Sequence, residues 1–124
     1  MIDFNNASFI KLKPLDDPNA GDRVRDLLVD DEQIFASFKA MRDMVFFTNR
    51  RIIAVNVQGI TGKKIDYTSL PYSKIQAFSF ESAGVFDLDA EMELWFSGLG
   101  KVKFDFVTSF DVRTFSKFIA NYVL

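Results

Sequence analysis

Two stretches of this chain carry residue types that could do chemistry. Gly59-Ile60-Thr61-Gly62-Lys63-Lys64 sets two glycines before two lysines, as a phosphate-cradling loop does. Asp87, Asp89, Glu91 and Glu93 recur at every second position, so a strand would aim four carboxylates at one face. Neither spacing completes a site. A phosphate loop needs about four residues between its glycines, a Ser or Thr after the lysine, and a helix whose N-terminus meets the anion. Here Ile60 and Thr61 alone intervene, Lys64 follows Lys63 and strand signals come next, which describes a hairpin turn. The carboxylates would stand about 6.8 Å apart along a strand, whereas calcium needs several oxygens converging at about 2.3 to 2.6 Å. The opposite face of their strand is apolar, so they read as a solvated face opposite Lys101 and Lys103 on the next strand.

The chain has no Cys and no His. Thiolate nucleophiles, imidazole bases, disulfides and both zinc-type donors are therefore absent, and no remaining residues pair a nucleophile with a base. We expect no enzyme, no cofactor and no metal. No basic leader precedes an apolar run, and no segment approaches the roughly 20 apolar residues of a membrane span; with the lack of Cys, this leads us to expect a cytoplasmic protein.

Net charge is -2, but it is unevenly placed. Gln33 to Lys74 holds seven basic residues against Asp43 and Asp66, while Glu81 to Glu93 holds five acids and no base. Lys39, Arg42, Arg50, Arg51, Lys63 and Lys64 form a candidate patch for an anionic ligand, although scattered surface cations need none. Nucleic acid is not expected, because the chain is acidic overall and no basic stripe is interleaved with aromatics.

One domain suits 124 residues, and 15 Phe can fill a compact core without disulfides. Residues 1–19, with Pro14, Asp16, Asp17, Pro18 and Asn19, read as a turn-rich arm, and 20–124 as the domain. Val24, Leu27 and Leu28 predict a short helix, with Asn19 available as its cap. Thereafter the period is two. Strands are predicted from Glu32, at Met44–Thr48, Ile52–Val57, Lys63–Ser69 and about Lys74–Phe80, then in the alternations Leu88–Phe96 and Lys101–Phe106. Asn49-Arg50 and Gly98-Leu99-Gly100 supply hairpin turns. Thr108 or Ser109 can cap a last helix carrying Phe115, Phe118, Ile119 and Tyr122 on one face.

The order of these elements, with Phe47-Thr48-Asn49-Arg50-Arg51-Ile52-Ile53, Gly62-Lys63-Lys64, Ser69-Leu70-Pro71-Tyr72 and the run from Ser82 to Glu91, resembles the bacterial pleckstrin-homology-like domain family over roughly Asp22 to Leu124. That resemblance implies a mainly β fold: a small barrel of seven antiparallel strands in two near-orthogonal sheets, capped by a C-terminal α-helix. It implies ring-like homo-oligomers, of about five subunits, and no established activity. Pleckstrin-homology domains that hold phosphoinositides use a roomy basic loop between their first two strands. Here that loop shrinks to Met41-Arg42-Asp43, which argues against a headgroup pocket.

Strand alternation points Phe35 and Trp95 outward, and Met44–Phe47 is apolar on both faces, so Phe47 joins them as a candidate oligomer contact unless the first 30 residues cover that face. The function expected is a non-enzymatic homo-oligomeric scaffold or interaction domain. The alternative is a membrane-surface or anionic-ligand module using the basic strand ends.

Overall fold

The structure is a computed structural model and describes residues 1–5, 9–82, 89–107 and 111–124. Eight strands are present: β1 Phe9–Pro14, β2 Ile34–Ala40, β3 Asp43–Thr48, β4 Arg51–Gln58, β5 Lys64–Pro71, β6 Ile75–Ser82, β7 Ala90–Phe96 and β8 Gly100–Phe106. The helix α1, Val112–Val123, follows. The strands form a curled half-barrel in the order β5-β4-β3-β2-β1-β8-β7-β6. The seven expected strands are β2 to β8.

The eighth, β1, lies in the stretch read as irregular. It joins the two halves of the sheet, pairing antiparallel with β2 and parallel with β8. Its buried residues are Phe9 and Leu12, three apart, because Lys11 takes a positive φ of 57° and the register shifts between them. A bulge of this kind erases the period-two signal.

β7 and β8 follow the simple rule. Ala90, Met92, Leu94 and Phe96 are buried, as are Val102, Phe104 and Phe106 across the ladder, while Trp95 and Lys101 face out. Leu88, Asp87 and most of the Ser82–Glu91 motif fall outside the described residues, as do Thr108 and Ser109. The observed cap of α1 is Asp111, whose carboxylate accepts from the Arg113 and Thr114 N–H groups.

β3 and β4 are apolar on both faces, and the two faces have different covers. Val45, Phe47, Ile52 and Ala54 enter the main core with Phe38, Phe104, Phe106 and Ile119. Met44, Phe46, Ile53 and Val55 form a second cluster around Val24, closed by Leu15, Leu28, Ile34 and Ile65. The N-terminal segment is therefore the cover. It is not an α-helix: Ala20–Arg23 and Arg25–Leu27 are two 3-10 turns, and Asn19 makes no side-chain cap. Pro18 and Gly21 weaken a longer helix, and two tight turns suffice to drive Val24 into the sheet.

Candidate functional site

The basic patch expected from the sequence divides between opposite ends of β3. At its C-terminal end the hairpin turn Asn49-Arg50 folds onto the acidic run Asp31-Glu32. Arg51 donates through Nε to Glu32 Oε2 at 2.9 Å and through Nη2 to Glu32 Oε1 at 2.9 Å. It also reaches the Leu27 carbonyl at 2.7 Å and Ser69 Oγ at 2.9 Å. Thr48 Oγ1 donates to Glu32 Oε2 at 2.7 Å and accepts from the Arg50 and Arg51 N–H groups. Asn49 exchanges hydrogen bonds with the Asp31 and Gln33 backbone, and Arg50 pairs with the exposed Asp31.

The Glu32 side chain is completely buried. Burial opposes its ionisation, but hydrogen bonds from Arg51, Thr48 and the Val29 N–H outweigh that and hold its carboxyl below the usual carboxylate range. This end is a clamp that ties the N-terminal segment to the sheet, so Arg50 and Arg51 are already occupied. Sequence reading passed over Asp31 and Glu32; the only signal was an acidic run shortly before a basic turn.

At the other end, the tips Met41-Arg42 and Gly59–Lys63 meet where Arg42 Nη1 donates to the Gly59 carbonyl at 2.7 Å. Gly59 and Gly62 take φ of 77° and 69°, and the Gly62 N–H bonds the Gly59 carbonyl, so this is a hairpin turn. Lys39, Arg42, Lys63 and Lys64 are exposed and make no ion pair among the described residues. Lys39 also stands directly opposite Lys13 in the ladder. Met41 is 94% exposed and Ile60 fully so. Neither apolar tip was singled out from sequence.

Of the three outward aromatics expected, two are outward. Phe35 is 53% and Trp95 49% exposed. Phe47 is a correction: it is fully buried against Phe38, Phe104, Phe106 and Phe115. Alternation separates the faces of a doubly apolar strand without saying which one meets the main core. Phe35 stands at the register shift between Ile34 and Ala36, its ring 4.9 Å from that of Phe118 and 6.2 Å from that of Tyr122 on α1.

Glu91 and Glu93 lie on the outer face of β7, paired with Lys103 at 2.6 Å and Lys101 at 3.8 Å. Glu81, Glu91 and Asp105 stand opposite one another across three strands. The Lys103 hydrogen bond pulls the Glu91 carboxyl down, whereas burial pushes that of Asp105 up despite Lys103. Among the described residues no group of His, Cys, Asp or Glu could hold a metal.

An eight-strand curled sheet with a helix after its last strand can be compared with known proteins directly. The model of the bacterial PH domain family matches residues 3–123, almost the whole chain. The chain belongs to that family. It is similar to a DUF1696 family protein with a pleckstrin-homology domain from Shewanella loihica PV-4, at 36% identity and a TM-score of 0.79, covering 93% of this chain and 99% of that one. A pleckstrin homology domain from Shewanella amazonensis SB2B is 38% identical with a TM-score of 0.65, over 96% of this chain and 93% of that one. The uncharacterized Bacillus subtilis proteins YjqA and YozO are 50% identical over 72 residues and 38% identical over 68 residues. Those alignments cover 58% and 55% of this chain, and the chain spans 58% and 59% of the lengths of these two curated relatives. No helix among the described residues of this family member is long and apolar enough to cross a membrane.

Proposed function

We propose that this bacterial PH domain is a non-enzymatic scaffold that assembles into a homo-oligomer larger than a dimer, a ring of about five subunits by its family resemblance. The observation that carries this reading is the edge strand β6. The sheet order leaves one side of β5 and one side of β6 without a strand partner. β5 carries Lys64, Asp66 and Pro71, the residues by which natural edges resist pairing. β6 has neither charge nor proline from Ile75 to Phe80, and its neighbour β7 presents the half-exposed Trp95 opposite Ala77. An edge whose one charge, Glu81, stands near its C-terminal end, beside a half-exposed Trp, suits strand pairing with another copy.

Sedimentation equilibrium at tens of micromolar tests this. The reading requires one discrete mass several times the 14.2 kDa chain, reduced by Ala77→Pro and Trp95→Lys. A clean monomer would reject it.

The tips of the β2–β3 and β4–β5 hairpins favour a second reading, contact with an anionic membrane surface. Two large apolar side chains stand in water among four cations that have no ion-pair partner among the described residues, which suits shallow insertion beside anionic headgroups. Co-sedimentation with phosphatidylglycerol vesicles should be lost in Met41→Ser/Ile60→Ser. Equal recovery of wild type and variant would discard this reading.

A further inference from the structure

The β1–β2 ladder is short, and what lies beside it is a groove. Only Lys13↔Lys39 and Pro14↔Phe38 are in register, and the Leu15 N–H adds one hydrogen bond to the Ser37 carbonyl at 2.8 Å. From Ile34 to Ala36, β2 has its strand partner among the described residues on the β3 side alone. Where β1 would continue, the chain leaves through Asp16, Asp17 and Pro18, opening a cavity of about 550 Å³ between this segment and the free stretch of β2. A second cavity of about 360 Å³ lies towards α1, under Phe118 and Asp111. Phe35, Ala36 and Phe115 line both, so the two are halves of one groove with the exposed Phe35 ring as a shared wall.

The chemistry of this groove selects one class of occupant. Its acids are Asp16, Asp17 and Asp111, and hydrogen bonds from Thr114 hold the Asp111 carboxyl below its usual range. Among the described residues that line it the one cation is Arg25, paired with Asp22 at 2.6 Å. The rings of Phe35, Phe115 and Phe118 pack on one another and line the same groove as these carboxylates, a combination that suits guanidinium and ammonium groups. The free stretch of β2 offers main-chain pairing to an extended chain, the recognition mode in which backbone bonds give affinity and flanking pockets give specificity.

We propose that this groove is a docking site for an extended basic peptide of a partner protein, added as a short strand along Ile34–Ala36 with an Arg or Lys side chain between Phe35 and the groove's carboxylates. The groove is lined from β2, α1 and the 14–25 segment, whereas the assembly reading rests on the β6 edge, so peptide binding and sedimented mass are read separately. A scaffold with both surfaces could gather several copies of one partner.

The test uses the full chain and a fluorescein-labelled peptide of alternating Arg and Val, with a Glu–Val peptide of equal length as control, read by anisotropy. The Arg–Val peptide should bind and the Glu–Val peptide should not. Phe35→Ser and Asp16→Asn/Asp17→Asn should each weaken binding about tenfold or more with unchanged sedimented mass; Phe35→Ser gives up ring contacts with Phe118 and Tyr122 and is compared at a temperature where its melt shows it folded. Amide shifts on titration should centre on residues 34–37. Four results would each overturn the proposal: no binding of the Arg–Val peptide, equal binding of the Glu–Val peptide, affinity unchanged by Phe35→Ser, or a Phe35→Ser variant that loses wild-type mass, which would make the groove a contact between copies.

Discussion

The two ends of β3 carry similar residues and do different things. Both are hairpin turns with basic side chains. At the Asn49-Arg50 turn the chain supplies its own acids: Glu32 is buried against Arg51, Asp31 meets Arg50, and Thr48 satisfies two backbone N–H groups. At the Met41-Arg42 turn no acid is supplied to the surrounding lysines among the described residues, and the most prominent side chains are apolar and in water. A basic residue is therefore informative about partners only after its internal partners are known. The clamp secures the N-terminal cover over Met44, Phe46 and Ile53; at the tips the Arg42 bond to the Gly59 carbonyl joins one hairpin to the other.

This contrast breaks most readily at Glu32. Glu32→Ala would take the carboxylate from Arg51, leaving it the Leu27 carbonyl and Ser69 Oγ, and would leave the Thr48 hydroxyl only the Arg51 carbonyl; removing one partner of a buried pair costs about 3 to 5 kcal/mol. Urea unfolding should show that loss, whereas a loss under about 1 kcal/mol would mean the clamp is peripheral. Thr48→Val removes the oxygen that accepts from Arg50 and Arg51 and should cost about 1 to 3 kcal/mol in the same assay.

A pH series sharpens the contrast without mutation. The folded-state pKa of Glu32 is depressed, so its contribution is present above its ordinary value of 4.5 and is lost as pH falls through the lower folded value. As pH falls from 4.5 towards the folded value, the urea midpoint should fall more steeply in wild type than in Glu32→Gln. Parallel curves would remove Glu32 from the account.

The exposed Arg50–Asp31 pair is worth less. Both side chains are more than half in water, so Arg50→Ala should cost no more than about 1 kcal/mol by thermal melt. Smallest of all, Lys39→Gln relieves the like charge facing Lys13 and should raise stability by about 0.2 to 0.5 kcal/mol. A clear destabilisation there would reveal that Lys39 has an internal partner after all.

How much was legible depended on whether one period ruled a segment. In β7 and β8 the alternation of Ala90 to Phe96 and Val102 to Phe106 identified the buried face residue by residue, because each strand has one wet side. β1 was missed because its bulge at Lys11 spaces the core residues by three. In β2 the bulge beside Phe35 sent Ile34 to the second cluster, although plain alternation grouped it with Ala36 and Phe38. Phe47 went astray for a different reason: in a strand apolar on both sides, alternation says nothing about depth. The basic patch looked continuous along the chain, but β3 places its members at opposite ends, and Asp31 and Glu32 claim Arg50 and Arg51 through contacts 19 residues apart in sequence.

The clamp itself is tested most directly by a double-mutant cycle on Glu32 and Arg51, measured by urea unfolding beside the same cycle on Asp31 and Arg50. We predict a coupling of about 1.5 to 3 kcal/mol for the buried pair and below about 1 kcal/mol for the exposed one. Equal couplings, or a Glu32–Arg51 value near zero, would contradict the assignment of these arginines to the fold and return them to the surface as candidates for an anionic partner.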